Sequence, residues 1–104
     1  MVFALSILGD RWTLLVVRDL LQGRRRFKEL TAVIHGIPSN ILAHRLDRLV
    51  RGQIIVKIPY CNNSKWMAYE LTAKGKALAP VLREMTDWGM TWQNGDYDFT
   101  SKPN

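Results

Sequence analysis

The sequence predicts a mainly α-helical fold with one small β-hairpin, an α+β domain, and three observations predict it. Apolar residues recur at helical spacing through residues 11–22, 27–34, 39–51 and 73–93. The spacing turns to alternation once, where Ile54, Val56 and Ile58 interleave with Ile55, Lys57 and Pro59. The 104 residues, 47% hydrophobic and 23% charged, suffice for one core and are too ordinary in composition for a disordered chain.

Residues 2–8 are mostly apolar and fit a short helix that Gly9 stops. Asp10 is placed to accept from the amides of the next first turn, the N-cap role. The helix that follows, Arg11 to Gln22, carries Trp12, Leu14, Leu15, Val16, Val17, Leu20 and Leu21 around most of its circumference, so burial on several sides is expected. Gly23 ends it. After Arg24-Arg25-Arg26, a short helix sets Phe27, Leu30, Thr31 and Ile34 on one face at i, i+3, i+4, i+7. His35-Gly36 ends that helix, and Ile37 before Pro38 is extended.

Ser39 is a fair N-cap for the next helix, Asn40 to Arg51. At 100° per residue, Leu42, Leu46, Leu49 and Val50 fall on one side of it. Asn40, His44, Asp47, Arg48 and Arg51 fall on the other, with small Ala43 at the border. The apolar side must pack, and the basic, amide-rich side is left for a partner.

The alternating run at 54–58, the polar cluster from Cys61 to Lys65 and the aromatic run Trp66–Leu71 make an antiparallel hairpin. Thr72 caps a long last helix, Ala73 to Gln93, in which Pro80 produces a kink or a lost backbone bond. Its stripe of Leu78, Val81, Leu82, Met85, Trp88 and Trp92 fits a dimer interface, with simple packing onto the first helix and the sheet as the other reading. Residues 1–94 read as one domain and 95–104, polar and containing Pro103, as a flexible tail.

Charge narrows the partner. Of the net +6, residues 1–23 contribute zero, 24–57 contribute +6, 58–79 contribute +2 and 80–104 contribute −2. A positive field so concentrated suits a polyanion, nucleic acid first and an anionic membrane second, although a merely solvated basic face has the same composition. No uncharged apolar run nears the roughly 18–20 residues of a membrane span. The single Cys61 rules out an internal disulfide, and without a secretory signal a cytoplasmic location is expected.

The helix 27–34, the turn 35–38 and the helix 39–51 make a helix-turn-helix, and the hairpin after them makes it winged. The major groove of duplex DNA admits one α-helix, whose N-terminal residues lie along base edges while its predecessor crosses the backbone. The stretches LSILGDRWTLLVVRDL (5–20), RFKEL (26–30), GIPSNILAHRLDRL (36–49) and YELTAKGKAL (69–78), then Pro80-Val81-Leu82 and Trp88-Gly89, run almost end to end through a pattern. That pattern resembles the HxlR-type winged-helix transcription regulators.

The resemblance implies a homodimer on a near-palindromic operator. The dimer contact would come from the first helix, through Phe3 and Ile7, and from the last, through Leu78, Val81, Leu82, Met85, Trp88 and Trp92. The helix 39–51 would read the major groove, and the wing tip 61–65 would approach the backbone or minor groove. In several members a cysteine just before the first helix senses oxidants or electrophiles. This chain starts at Met1, inside that helix, with no cysteine there, so the resemblance does not carry that sensing mode over. The family also often has glycine where this chain has Gln53, so the end of the helix is expected to differ.

Residue by residue, Asn40 and His44 are candidates for base edges, since an amide pairs with adenine both ways and an imidazole donates or accepts. Ala43 lies between them. Arg48 and Arg51, further along, suit phosphates. Arg45 either holds a phosphate or braces the helix against Glu29. Ser39 caps its helix and offers a hydroxyl or amide to a phosphate. Arg24, Arg25, Arg26 and Lys28 open the preceding helix, where backbone contact is expected, or form a plain basic loop. Asn62, Asn63 and Lys65 are wing-tip candidates, although a turn uses Asn for its backbone alone.

Cys61 reads as a plain wing residue or a redox switch. Trp12, Trp66, Trp88 and Trp92 read as core, or as an aromatic pocket for a small-molecule effector at the dimer junction. No pair among His35, His44 and Cys61 has metal-ligand spacing, and Lys74-Gly75-Lys76 lacks the glycine-rich turn of a phosphate loop, so neither metal nor cofactor is expected. No nucleophile–base pair or paired carboxylates mark an enzyme. A protein-interaction winged helix is the competing class, but it has no use for +6 over residues 24–57.

Overall fold

The computed structural model of the chain describes residues 1–60 and 63–93, and for 63–65 the backbone alone. The elements run α1 (Val2–Leu8), α2 (Arg11–Leu21), α3 (Phe27–Val33), α4 (Ser39–Arg51), β1 (Ile55–Tyr60), β2 (Asn63–Leu71), α5 (Ala73–Lys76) and α6 (Ala79–Trp92). The class is the expected one, mostly helical with one antiparallel hairpin.

The core forms where the apolar faces of α2, α3 and α4 meet. Val16, Val17 and Leu20 of α2 pack with Leu30 of α3, Ile34, Ile37 and the Leu42, Leu46, Leu49 row of α4. Ile54 and Ile55 close it from the hairpin side. Each fully buried aliphatic side chain there is worth about 1.5–3 kcal/mol of transfer free energy. Asp10 caps α2 as expected: the Thr13 amide donates to Oδ1 at 3.0 Å and the Thr13 hydroxyl to Oδ2 at 2.9 Å. Glu29 accepts from the Arg26 amide at 2.9 Å and the Arg25 amide at 3.2 Å, which starts α3. Gly36 follows α3 with φ of 79°, which only glycine adopts without strain.

The hairpin pairs Ile55 with Leu71 and Ile58 with Ala68, and its register shifts between Pro59 and Tyr60, so that Tyr60 faces Asn63. A third strand position borders it. Arg26 bridges Ala68, and the Tyr69 amide donates to the Arg25 carbonyl at 2.7 Å. The chain entering α3 is thereby tied to the hairpin by backbone bonds that sequence periodicity does not register.

Four expectations are corrected. The last helix is two, α5 and α6, because Pro80 stands in the first turn of α6, where its missing N–H costs nothing, and starts a helix instead of kinking one. Ser39 is the first residue of α4, not its cap; extended Pro38 holds that place, and its carbonyl accepts from the Ile41 and Leu42 amides at 3.1 and 3.0 Å. Thr31 is exposed, its hydroxyl returned to the Phe27 carbonyl at 2.9 Å. Strand β2 begins at Asn63, so most of the expected turn cluster is strand, because pairing continues to Tyr60 and Asn63. No described helix is long and apolar enough to cross a membrane.

Candidate nucleic-acid interface

Helix α4 divides as the wheel predicts. Leu42, Leu46 and Leu49 are buried, while Ser39, Asn40, Ala43, His44, Asp47, Arg48 and Arg51 are exposed. The amides of Ser39 and Asn40 precede the first turn's intrahelical bonds and, with the helix dipole, favour an anion at that end.

The arginines of α4 are not equivalent. Arg51 pairs with Asp47 one turn back at 3.0 Å, both side chains in solvent, a contact worth little by itself. Arg45 is the most covered of the three; its side chain is 18% exposed. Its Nε donates to Asp10 Oδ1 at 3.2 Å and its Nη1 lies 2.7 Å from His44 Nδ1. Arg48 donates from Nη2 to the Ser6 carbonyl of α1 at 2.9 Å, and its Nη1 lies 3.6 Å from Asp10 Oδ2. Asp10 is therefore both the cap of α2 and the anchor of α4. Burial alone would raise its pKa, but hydrogen bonds from the Thr13 amide and hydroxyl and from Arg45 outweigh that and hold it below the ordinary carboxylate range. The expected brace between Arg45 and Glu29 does not form. Glu29 is occupied at the Arg26 and Arg25 amides, which lower its pKa.

The basic run before α3 is also put to structural use. Arg26 lies over the rings of Tyr60 and Trp66, at 4.8 and 5.1 Å from their centroids, and so joins the start of α3 to both strands of the wing. Arg25 Nη2 lies 3.5 Å from Glu70 of β2, and Arg24 donates to Gln22 at 3.4 Å. Lys28 is exposed on α3. Of the wing-tip candidates, Cys61 and Asn62 lie outside the described residues, as do the side chains of Asn63 and Lys65. Sequence reasoning missed the Asp10 anchor and the Arg26 cage. The only local signal was the N-cap at Asp10, because both contacts join positions more than 30 residues apart.

The two terminal helices leave apolar groups in solvent. Val81, Met85, Trp88 and Trp92 of α6 and Phe3 of α1 are exposed, whereas Ile7, Leu78 and Leu82 are partly buried against the core. The core reading of the tryptophans is corrected for three of them. Trp66, Trp88 and Trp92 are 53%, 70% and 64% exposed, because the leucines and isoleucines of α2–α4 already fill the interior. Trp12 packs at the core's margin beneath Arg11.

This arrangement has known counterparts. The model of the HxlR-like helix-turn-helix family matches residues 7–97. The HTH-type transcriptional regulator YvaP of Bacillus subtilis is 36% identical over 86% of this chain and 82% of its own length. YodB of the same organism, also an HTH-type transcriptional regulator, is 39% identical over 82% of this chain and 76% of its own length. The reduced form of YodB superposes with a TM-score of 0.77 at 37% identity, covering 92% of this chain and 95% of that one. The redox regulator HypR in its reduced form superposes with a TM-score of 0.80 at 25% identity, covering 88% and 91%.

Proposed function

The chain belongs to the HxlR-like helix-turn-helix family and is a DNA-binding transcriptional regulator of the winged-helix type, and from that premise we propose that it acts as a homodimer on a near-palindromic operator, with α4 in the major groove. One observation carries this reading. The leucine side of α4 is sealed in the core while Ser39, Asn40, Ala43 and His44 stand exposed at its N-terminal end, the end that meets base edges in this motif.

In this reading Asn40, Ala43 and His44 face bases. Ser39, Lys28, Arg24, Arg25, Arg48 and Arg51 meet phosphates, which position without reading sequence. The wing residues Asn62, Asn63 and Lys65 reach the backbone or the minor groove. Arg26 and Arg45, engaged within the protein, contribute mainly by orientation. The dimer uses Phe3 and Ile7 of α1 with Leu78, Val81, Leu82, Met85, Trp88 and Trp92. Residues 1–94 are taken as the DNA-binding domain, and the tail expected at 95–104 lies outside the described residues.

Purified protein mixed with fragmented genomic DNA tests this. Retained fragments share a two-half motif, and affinity falls by several decades from low to physiological salt. Arg48→Ala weakens binding to all fragments and makes the salt slope about one unit shallower, whereas His44→Ala changes which fragments are retained. If neither variant alters retention, the assignment of α4 fails. If binding is absent at low salt, the protein-interaction class replaces it.

A further inference from the structure

We infer that Asp10 and Arg45 lock His44 in one tautomer, as a hydrogen-bond donor at the protein surface, so that His44 selects a guanine edge; this rests on the reading of α4 as the groove-reading helix. A guanidinium has five donors and no acceptor. The 2.7 Å contact between Arg45 Nη1 and His44 Nδ1 is therefore a hydrogen bond only if Nδ1 carries no proton and accepts. The neutral ring then carries its proton on Nε2, the nitrogen on the far side of the ring.

The guanidinium is not free to swing away. Its Nε donates to Asp10 Oδ1 at 3.2 Å, and its side chain is largely covered. Asp10 in turn is fixed by two bonds to Thr13 in the first turn of α2. The carboxylate, guanidinium and imidazole thus form a chain that runs from the start of α2 to the exposed face of α4. Arg45 and Asp10 are positioning residues, and His44 is the group that meets DNA.

A donor-only edge discriminates among bases. In the major groove cytosine presents a donor, adenine an acceptor beside a donor, and thymine one acceptor beside a methyl group. Guanine presents two adjacent acceptors, N7 and O6, and suits a single donor without an opposing group. Without Arg45 nothing holds the proton on Nε2, and the ring gains access to the tautomer that accepts there.

The test has two parts, both on the 104-residue chain. Long-range proton–nitrogen spectra of histidine-labelled protein distinguish a bare ring nitrogen from a protonated one, with His35→Gln assigning the two histidines. Selection from a random duplex library then gives the preferred site for the wild type and for His44→Ala. The expected result is a bare Nδ1 and a protonated Nε2 in the wild type. A guanine in each half-site should lose its enrichment in His44→Ala. Exchanging that G·C pair for A·T should weaken the wild type on the order of fivefold and the variant not at all.

Arg45→Met should bring the second tautomer into the spectrum and flatten the guanine preference while leaving the helical content intact. A proton on Nδ1 in the wild type, two exchanging tautomers in the wild type, or a His44-dependent base other than guanine overturns the inference. The wild-type spectrum and the His44→Ala selection decide it even if Arg45→Met does not fold. An operator selected equally well by the wild type and His44→Ala sinks this inference alone. A wild type that selects no site sinks the proposed function with it.

Discussion

Helices α2 and α6 are both rich in apolar residues, yet the chain treats them in opposite ways. In α2, Thr13, Val16, Val17, Asp19 and Leu20 are buried, and Asp10 caps the first turn. In α6 no residue is buried, no side chain caps the start, and Trp88 and Trp92 are largely in solvent. The difference is one of partners. Helix α2 is covered by α3, α4 and the hairpin from its own chain, whereas α6 packs on that core through Leu82, with Leu78 just ahead of its start. An apolar face left uncovered by its own chain carries a standing free-energy incentive for association. Amphipathicity alone therefore does not tell a helix that its own chain covers from one whose apolar face its own chain leaves bare.

The comparison breaks most sharply at Val17. Val17→Asp buries a carboxylate with no partner in the fully covered centre of α2 and should cost more than about 3 kcal/mol, enough to abolish the cooperative thermal transition seen by circular dichroism. A folded, stable variant would mean that α2 is not the central helix.

The matching change in α6 should act on assembly instead. Trp88→Ala with Trp92→Ala removes two exposed indoles, and sedimentation should show the dimer dissociating at protein concentrations at least about tenfold higher than for the wild type, with helical content little changed. If the double variant unfolds, α6 belongs to the fold of one chain and the contrast with α2 is lost.

A third change separates folding from assembly. Gln53 has φ of 61°, the left-handed region that costs a side chain about 1–2 kcal/mol. After the extra freedom that glycine gives the unfolded chain, Gln53→Gly should raise stability by about 0.5–1 kcal/mol in denaturant titration without altering the oligomeric state. Glycine would adopt the backbone geometry at the exit of α4 without that strain.

Acid should produce the smallest effect. Asp10 and Glu29 both hold their charged forms more firmly in the folded chain than in the unfolded one. Their contribution is complete above the unfolded carboxylate range and is lost as pH falls below about 4, through the depressed folded values. The melting temperature should therefore fall as pH drops below about 4, and Asp10→Asn, which keeps a capping side chain, should flatten part of that fall. An unchanged acid limb in Asp10→Asn would remove Asp10 from the account of how α2 and α4 are joined.

Much of this was legible in residue order because it depends on local period. The wheel of α4 sorted Leu42, Leu46 and Leu49 from Asn40, His44 and Arg48 correctly, since a helix buries whichever side its leucines occupy. The Asp10 cap, the Thr72 cap and the hairpin were equally local. The break at Pro80 is visible as a proline, but in place of the expected kink or lost backbone bond the structure has a helix start, because what decides is where the preceding turn ends. Leu78 closes that turn on Gly75 at 3.0 Å, and α6 begins after it.

Taken by itself, the sequence determined helices α1 to α4, the hairpin, the buried side of α4 and the basic middle of the chain, because each follows from spacing over a few residues. Tertiary structure alone decided what the arginines do. Arg45 and Arg48 meet Asp10 across about 35 positions, and Arg26 meets Tyr60 and Trp66 across a similar span. A guanidinium at the end of a long, flexible side chain takes the carboxylate or aromatic face that folding brings within reach, and no periodicity along the chain encodes which one that is.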